Sequence, residues 1–226
     1  MSDSPSAAER LRAALAAAAL LDPRTAVLCA TLGALAVSER ELLEAGLVLA
    51  RELGVARAAL EEVLLQGALF GGFPRTVEAF QLLRTRWGAR QQDPPTPEPE
   101  PPSAAGEALF DRIYAELAPA VRRELTELHP SLARWIAEHA YRAVLARAGL
   151  DARTRELAAV TALAASGCRR QLLSHARGAM RCGADAPSVH AALGLAALFR
   201  SAESLAELGA QVERALRAVA PGEREP

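Results

Sequence analysis

Advancing about 100° per residue from Arg169 brings Leu172, Leu173, Ala176, Ala179 and Met180 to one side of a helix. That apolar stripe predicts a core-facing helix, with Arg170, Ser174, Arg177 and Arg181 on the wet side. Cys168, Gln171, His175 and Cys182 fall together on the border between the two. The preceding run carries Glu156 on the same face as Leu157, Val160, Leu163 and Ala164, the spacing of core positions. Similar helical periods recur along the chain, and no run alternates apolar and polar residues as a half-buried strand does. Asp22 and Asp151 suit N-caps, Ser38 with Glu41 reads as a capping box, and Gly54 and Gly183 suit helix ends. Pro74 and Pro187 suit first-turn positions. The fold class predicted is all-α.

The stretch 91–106, QQDPPTPEPEPPSAAG, interrupts the helical pattern. Its prolines lack amide donors, so it reads as an extended spacer between an N-terminal half, 1–90, and a C-terminal half, 107–226. The halves look related. At an offset of 129 positions, Asp151-Ala-Arg-Thr154 falls on Asp22-Pro-Arg-Thr25, Gly183 on Gly54, and Ala197-Leu-Phe199 on Ala68-Leu-Phe70. A constant offset points to an internal helical repeat. At that offset Glu156, Cys168, Gln171 and His175 become Val27, Glu39, Leu42 and Gly46, so one site per chain is expected.

Composition narrows the function classes. Lysine is absent and all 26 basic residues are arginines, interspersed with acids for a net charge of −1. No basic stripe with interleaved aromatics is present, which argues against nucleic acid as a partner. Cys29, Cys168 and Cys182 are too few and odd in number for a disulfide framework and fit a reducing, cytoplasmic setting. LRAALAAAALL at 11–21 imitates a signal peptide only faintly, because MSDSPSAAE supplies no basic leader. No apolar run reaches the ~20 residues needed to span a membrane.

The polar residues of 155–175 are the candidates for chemistry. A carboxylate on an apolar face loses hydration and calls for a donor nearby. The Ser166-Gly167 break lets the two helices fold back, so that Glu156 and His175 pair and tune one another. A glutamate answering a helix dipole and a satisfied core-edge histidine are the plainer alternatives. His129 and His190 sit at helix starts, whereas His139, within WIAEHAY, is a candidate for lining the same pocket. Cys29 and Cys182 read as small buried hydrophobes. No His/Asp/Glu trio has metal-ligand spacing, so no metal is expected.

The pattern Glu156-x11-Cys168-x2-Gln171-x3-His175, closed by Arg177-Gly-Ala-Met-Arg-Cys-Gly183, resembles the carboxymuconolactone decarboxylase and alkylhydroperoxidase D-like superfamily. Tyr141 to Arg155 resembles its lead-in, and Leu60 to Phe80 resembles the segment that follows its helix pair. The resemblance implies an all-helical, self-associating protein, commonly a trimer or hexamer, with pockets near subunit contacts. It implies a small-molecule substrate and no cofactor. The peroxidase branch uses Glu…Cys-x-x-Cys-x-x-x-His; Glu156, Cys168 and His175 match, but Gln171 stands at the second cysteine. A lone thiol cannot cycle through an internal disulfide, and Cys182 lies ~21 Å further along the helix. The decarboxylase branch needs only proton management, with His175 as acid/base, Glu156 orienting it, and Arg155 or Arg177 meeting a substrate anion. A Cys168-based thiol antioxidant and a non-catalytic assembly protein are the alternatives.

Overall fold

Two helices buried on all sides, one from each half, hold the molecule together. The computed structural model describes residues 4–89 and 100–217, and every regular element among them is helical. The first half comprises α1 (Ala7–Ala17), α2 (Pro23–Val37), α3 (Arg40–Glu52), α4 (Arg57–Phe70) and α5 (Gly72–Trp87). After residues 90–99, which hold most of the expected spacer and lie outside the described residues, come α6 (Ser103–Tyr114), a 3-10 turn (Ala115–Leu117), α7 (Ala118–Leu128) and α8 (Pro130–Trp135). A π-helical segment (Ile136–Leu145) leads to α9 (Ala152–Ser166), α10 (Arg169–Arg181), α11 (Ala186–Gly194), a second 3-10 turn (Leu195–Leu198) and α12 (Ala202–Arg217).

The helix limits keep the offset read in the sequence. Adding 129 to the ends of α2 gives those of α9, and adding it to the ends of α3 gives those of α10. The caps correspond as well. Asp22 accepts from the Thr25 amide and Asp151 from the Thr154 amide. Ser38 and Gly167, equivalent positions, both end their helices with left-handed backbone. Ser38 is thus a C-cap, not the N-cap of a capping box. The turn between α2 and α3 is too short to hold both, and Glu39 precedes α3 without a side-chain cap.

α2 packs along α9, and residues 154–165 are buried without interruption. A helix apolar all round belongs inside a core, not on its rim. One cluster of buried side chains runs from Leu11 through Val27, Leu32, Leu47 and Leu64 to Leu157, Val160, Leu172 and Val212, so the two halves share a core. The predicted spacer also ends sooner than its composition suggests. Ser103–Gly106 is already helical, and Gly106 lies where a Cβ would come within 2.8 Å of Arg142 Cα. A smaller cluster, Phe110, Ile113, Tyr141, Leu145 and Cys182, lies between α6, the π-helical segment and the end of α10.

Candidate functional site

Gly167 makes the site possible. Its positive φ of 76° turns the chain from α9 into α10, a conformation without steric cost only for glycine. The two helices then run back to back. Glu156 and His175, at comparable distances on either side of the turn, come alongside. His175 Nδ1 lies 2.9 Å from Glu156 Oε2, with the glutamate 1% and the histidine 9% exposed. The carboxylate has room because residue 178, one helical turn beyond His175, is glycine. A Cβ there would overlap Glu156 Oε2 and sit 2.9 Å from Ile113 Cγ2.

Burial alone would pull the imidazole down, but the charge and hydrogen bond of Glu156 outweigh it, so His175 titrates above its ordinary range. Since the carboxylate engages Nδ1, Nε2 is the nitrogen left for chemistry. His175 lines a cavity of about 310 Å³ with Leu69, Phe70, Tyr114, Tyr141, Leu145 and Gln171 among the other walls. Phe70 meets the imidazole edge-on, with ring centroids 6.2 Å apart. At the cavity's rim, Arg170 donates to Glu124 on α7. A wider depression of about 880 Å³ lies beside α1, lined by Glu9, Arg10 and several alanines; no buried polar side chain lines it.

The other expected site residues fare differently. Gln171 is exposed but lines the cavity. Cys168 does not. It precedes α10, is exposed, and its Sγ has Ser166 Oγ at 3.5 Å as its hydrogen-bond partner. The border row drawn from Cys168 to His175 therefore splits, because Cys168 stands outside the helix. Arg155 cannot meet a substrate. It is 1% exposed and donates to Glu62 Oε2 at 2.7 Å and to the carbonyls of Leu150 and Arg147. Its helix is buried on every side, so its charge is neutralised within the core. His139 is likewise no pocket residue. It is exposed and packs on Phe73, ring centroids 5.7 Å apart. Arg177 is half-buried and does not line the cavity. Arg181, assigned to the wet side, is also half-buried and donates to the Ile113 carbonyl at 2.7 Å.

His129 caps α8, and His190 pairs with Glu213 at 2.7 Å, away from the site. Cys29 and Cys182 are buried as expected, and burial pushes their thiols up to about 12 and about 11. Among the described residues no group of His, Cys, Asp or Glu has the arrangement to hold a metal ion.

Sequence reasoning missed the tyrosines. Ile136, Ala140, Tyr141 and Leu145 all line the cavity. At about 100° per residue, Ile136 and Leu145 would face opposite ways. They share a face because this segment is π-helical, and i→i+5 hydrogen bonding stacks residues four and five apart. Nothing in an α-helical wheel could reveal that row.

In the first half the equivalent place is filled. Gly46, at the position of His175, has Thr31 so close that a Cβ would come within 2.5 Å of its Oγ1, and Val27 and Leu42 are buried.

The match with known families falls on this region. Residues 130–220 match the model of the carboxymuconolactone decarboxylase family, and the stretch holds Glu156, Cys168, Gln171 and His175. The resemblance read in the sequence is therefore upheld, and this part of the chain is similar to the carboxymuconolactone decarboxylase family, on an all-α fold. A search of curated proteins found no match. Among the described residues no helix is long and apolar enough to cross a membrane.

Proposed function

We propose that the chain is a carboxymuconolactone decarboxylase-like enzyme that uses His175 and Glu156 for acid–base chemistry on a small carboxylate or lactone. The observation that carries this reading is the buried 2.9 Å pair whose histidine lines a cavity of small-molecule size with mixed apolar and polar walls. An imidazole whose protonated form is favoured by a buried carboxylate is suited to delivering a proton to carbon. In decarboxylation the bond to the carboxylate breaks and CO2 leaves. Its electron pair moves through the conjugated system onto a carbonyl oxygen. His175 then protonates the carbon, while Glu156 holds the ring and its charge. No cofactor enters this scheme.

The thiol antioxidant reading draws less support, because Cys168 lies outside the cavity that holds His175. We read the first half as a repeat whose site is filled and serves as scaffold. Self-association of the chain, as a trimer, belongs to the same proposal, as does a cytoplasmic setting.

The test is a panel of γ-lactone carboxylates and β-keto acids given to the full chain. CO2 release and solvent deuterium incorporation are the readouts. His175→Ala is expected to lose about a hundredfold or more in turnover, Glu156→Gln somewhat less, and Cys168→Ser nothing. Turnover that survives His175→Ala but vanishes in Cys168→Ser, with hydroperoxide as the substrate consumed, would replace this reading with the thiol one.

A further inference from the structure

Two tyrosines line the same cavity from elements other than the two that carry Glu156 and His175. Tyr114 is the last residue of α6 and Tyr141 stands on the π-helical segment; both line the cavity beside His175. Their rings lie 6.2 Å apart, and Phe110 packs against both, at 4.5 Å from Tyr114 and 4.7 Å from Tyr141. Burial pushes both phenols above their ordinary range, and the nearby Glu156 charge adds to it. Tyr141 is 4% exposed whereas Tyr114 is half-buried, so Tyr114 is the nearer of the two to an entering molecule.

The backbone beside Tyr114 is unusual. Ala115, the next residue, has φ 49° and ψ −126°, a conformation costly for a side chain with a Cβ. Such strain persists only where the surroundings over-determine it. Here it sharply turns the chain out of α6 at the residue whose ring completes the cavity. The π-helical winding does the same for Tyr141, since a regular helix would not place it in one row with Ile136 and Leu145. Two departures from regular backbone thus accompany the two tyrosines that line one cavity.

We propose that Tyr114, held by Tyr141, is the hydrogen-bond donor for the oxyanion that forms on the substrate, and that the substrate class is accordingly one with a carbonyl conjugated to the reacting carbon. This rests on the acid–base reading above. As the bond to carbon breaks and its electron pair reaches the carbonyl oxygen, the Tyr114 O–H meets the new charge while the imidazole attends to the carbon. A donor already fixed in place needs no reorganisation at that moment. Tyr141 acts as a positioning residue: its ring, with that of Phe110, packs against Tyr114 and fixes where that ring stands beside the cavity.

4-Nitrophenol, whose phenolate is coloured and mimics an enolate oxygen, is the probe. The full chain is expected to bind it with the phenolate favoured, seen as a lowered transition pH for the bound dye. Tyr114→Phe keeps the ring packed on Phe110 and is expected to weaken phenolate binding about ten- to hundredfold, Tyr141→Phe only a fewfold. Binding by Tyr114→Phe as tight as that of the wild type, or no binding by the wild type at all, overturns the proposal. If His175→Ala abolishes turnover while Tyr114→Phe binds normally, the acid–base reading stands and the oxyanion site falls. If Tyr114→Phe weakens binding but His175→Ala keeps turnover, the hydroxyl site stands and the acid–base reading falls.

Discussion

Replacing Gly178 by alanine adds one methyl at the point where the site has no space. In an open helix interior the change would stabilise by ~1 kcal/mol, because glycine is the poorer helix former. Here the new Cβ overlaps Glu156 Oε2 and approaches Glu156 Cδ to 3.3 Å and Ile113 Cγ2 to 2.9 Å. Overpacking of that kind costs ~1–3 kcal/mol. Swinging the carboxylate away sacrifices its hydrogen bond to His175, worth ~1.5–3 kcal/mol when charged. The balance is a loss of roughly 2–4 kcal/mol, or about 5–15 °C in Tm for a chain of this size. Gly209, inside α12, is the matched control, since its nearest neighbour is Leu193 Cδ2 at 4.0 Å; Gly209→Ala is expected to hold or raise stability. Urea unfolding at several pH values, with NMR titration of the imidazole, measures both variants. In the wild type the raised pKa of His175 contributes stability that is complete below about pH 6.5 and is lost as pH rises through the folded value. Gly178→Ala should flatten that slope and let His175 titrate lower. Stability equal to that of Gly209→Ala, with His175 titrating as in the wild type, would refute the argument that Gly178 exists to seat the carboxylate.

Two further outcomes follow from groups outside the cavity. Arg155→Met should destabilise by ~3 kcal/mol, the cost of breaking a buried ion pair, while leaving substrate affinity alone. Burial pushes Glu62 up but its bonds and charges from Arg147 and Arg155 hold it below its ordinary value, so wild-type stability should fall as pH drops below about 4.5 through the folded pKa, and fall less in this variant; denaturant titration from pH 3 to 7 reads both. Ala115→Gly should relieve backbone strain and raise stability by ~1 kcal/mol, yet bind 4-nitrophenolate more weakly, because Tyr114 is no longer held. A thermal melt paired with a dye titration separates the two effects.

Helix existence and limits were largely legible because caps and periodicity agree. Asp22, Asp151, Gly54 and Gly183 all serve the ends read for them. The Glu156–His175 pair was legible too, since a short left-handed turn between two helices leaves little choice of partner. What the wheel misjudged is what depends on a third body. Arg155 lies one residue from Glu156, and α9 is enclosed on all sides, so the two side chains serve opposite neighbours: His175 on α10 and Glu62 on α4. Cys168 was put in the helix row because sequence spacing does not reveal that it precedes the first helical residue. Tyr141 was passed over because a π-helical stretch carries no signature in an α-helical count.

The two halves differ in the space left beside α3 and α10. Across the offset of 129, α1 corresponds to the π-helical segment, since both begin the lead-in to their central helix. α1 packs directly on α3, Leu42 is buried, and Gly46 is closed off by Thr31 of α2. The π-helical segment instead packs on α6 and α8, while α6 takes the place against α10 that α1 has against α3. The space between the displaced segment and α10 is the cavity, and its remaining walls come from α4 and from α6 and α7, which have no counterpart in the first half. α7 buries only Ala118 among its residues and reaches α10 through the exposed Glu124–Arg170 pair, an interaction worth at most ~1 kcal/mol. The Glu156–His175 pair is thus seated in the buried part of the molecule, while the α7 wall of its cavity is lightly held, so that on the proposed reading a substrate could enter past α7 without disturbing the pair.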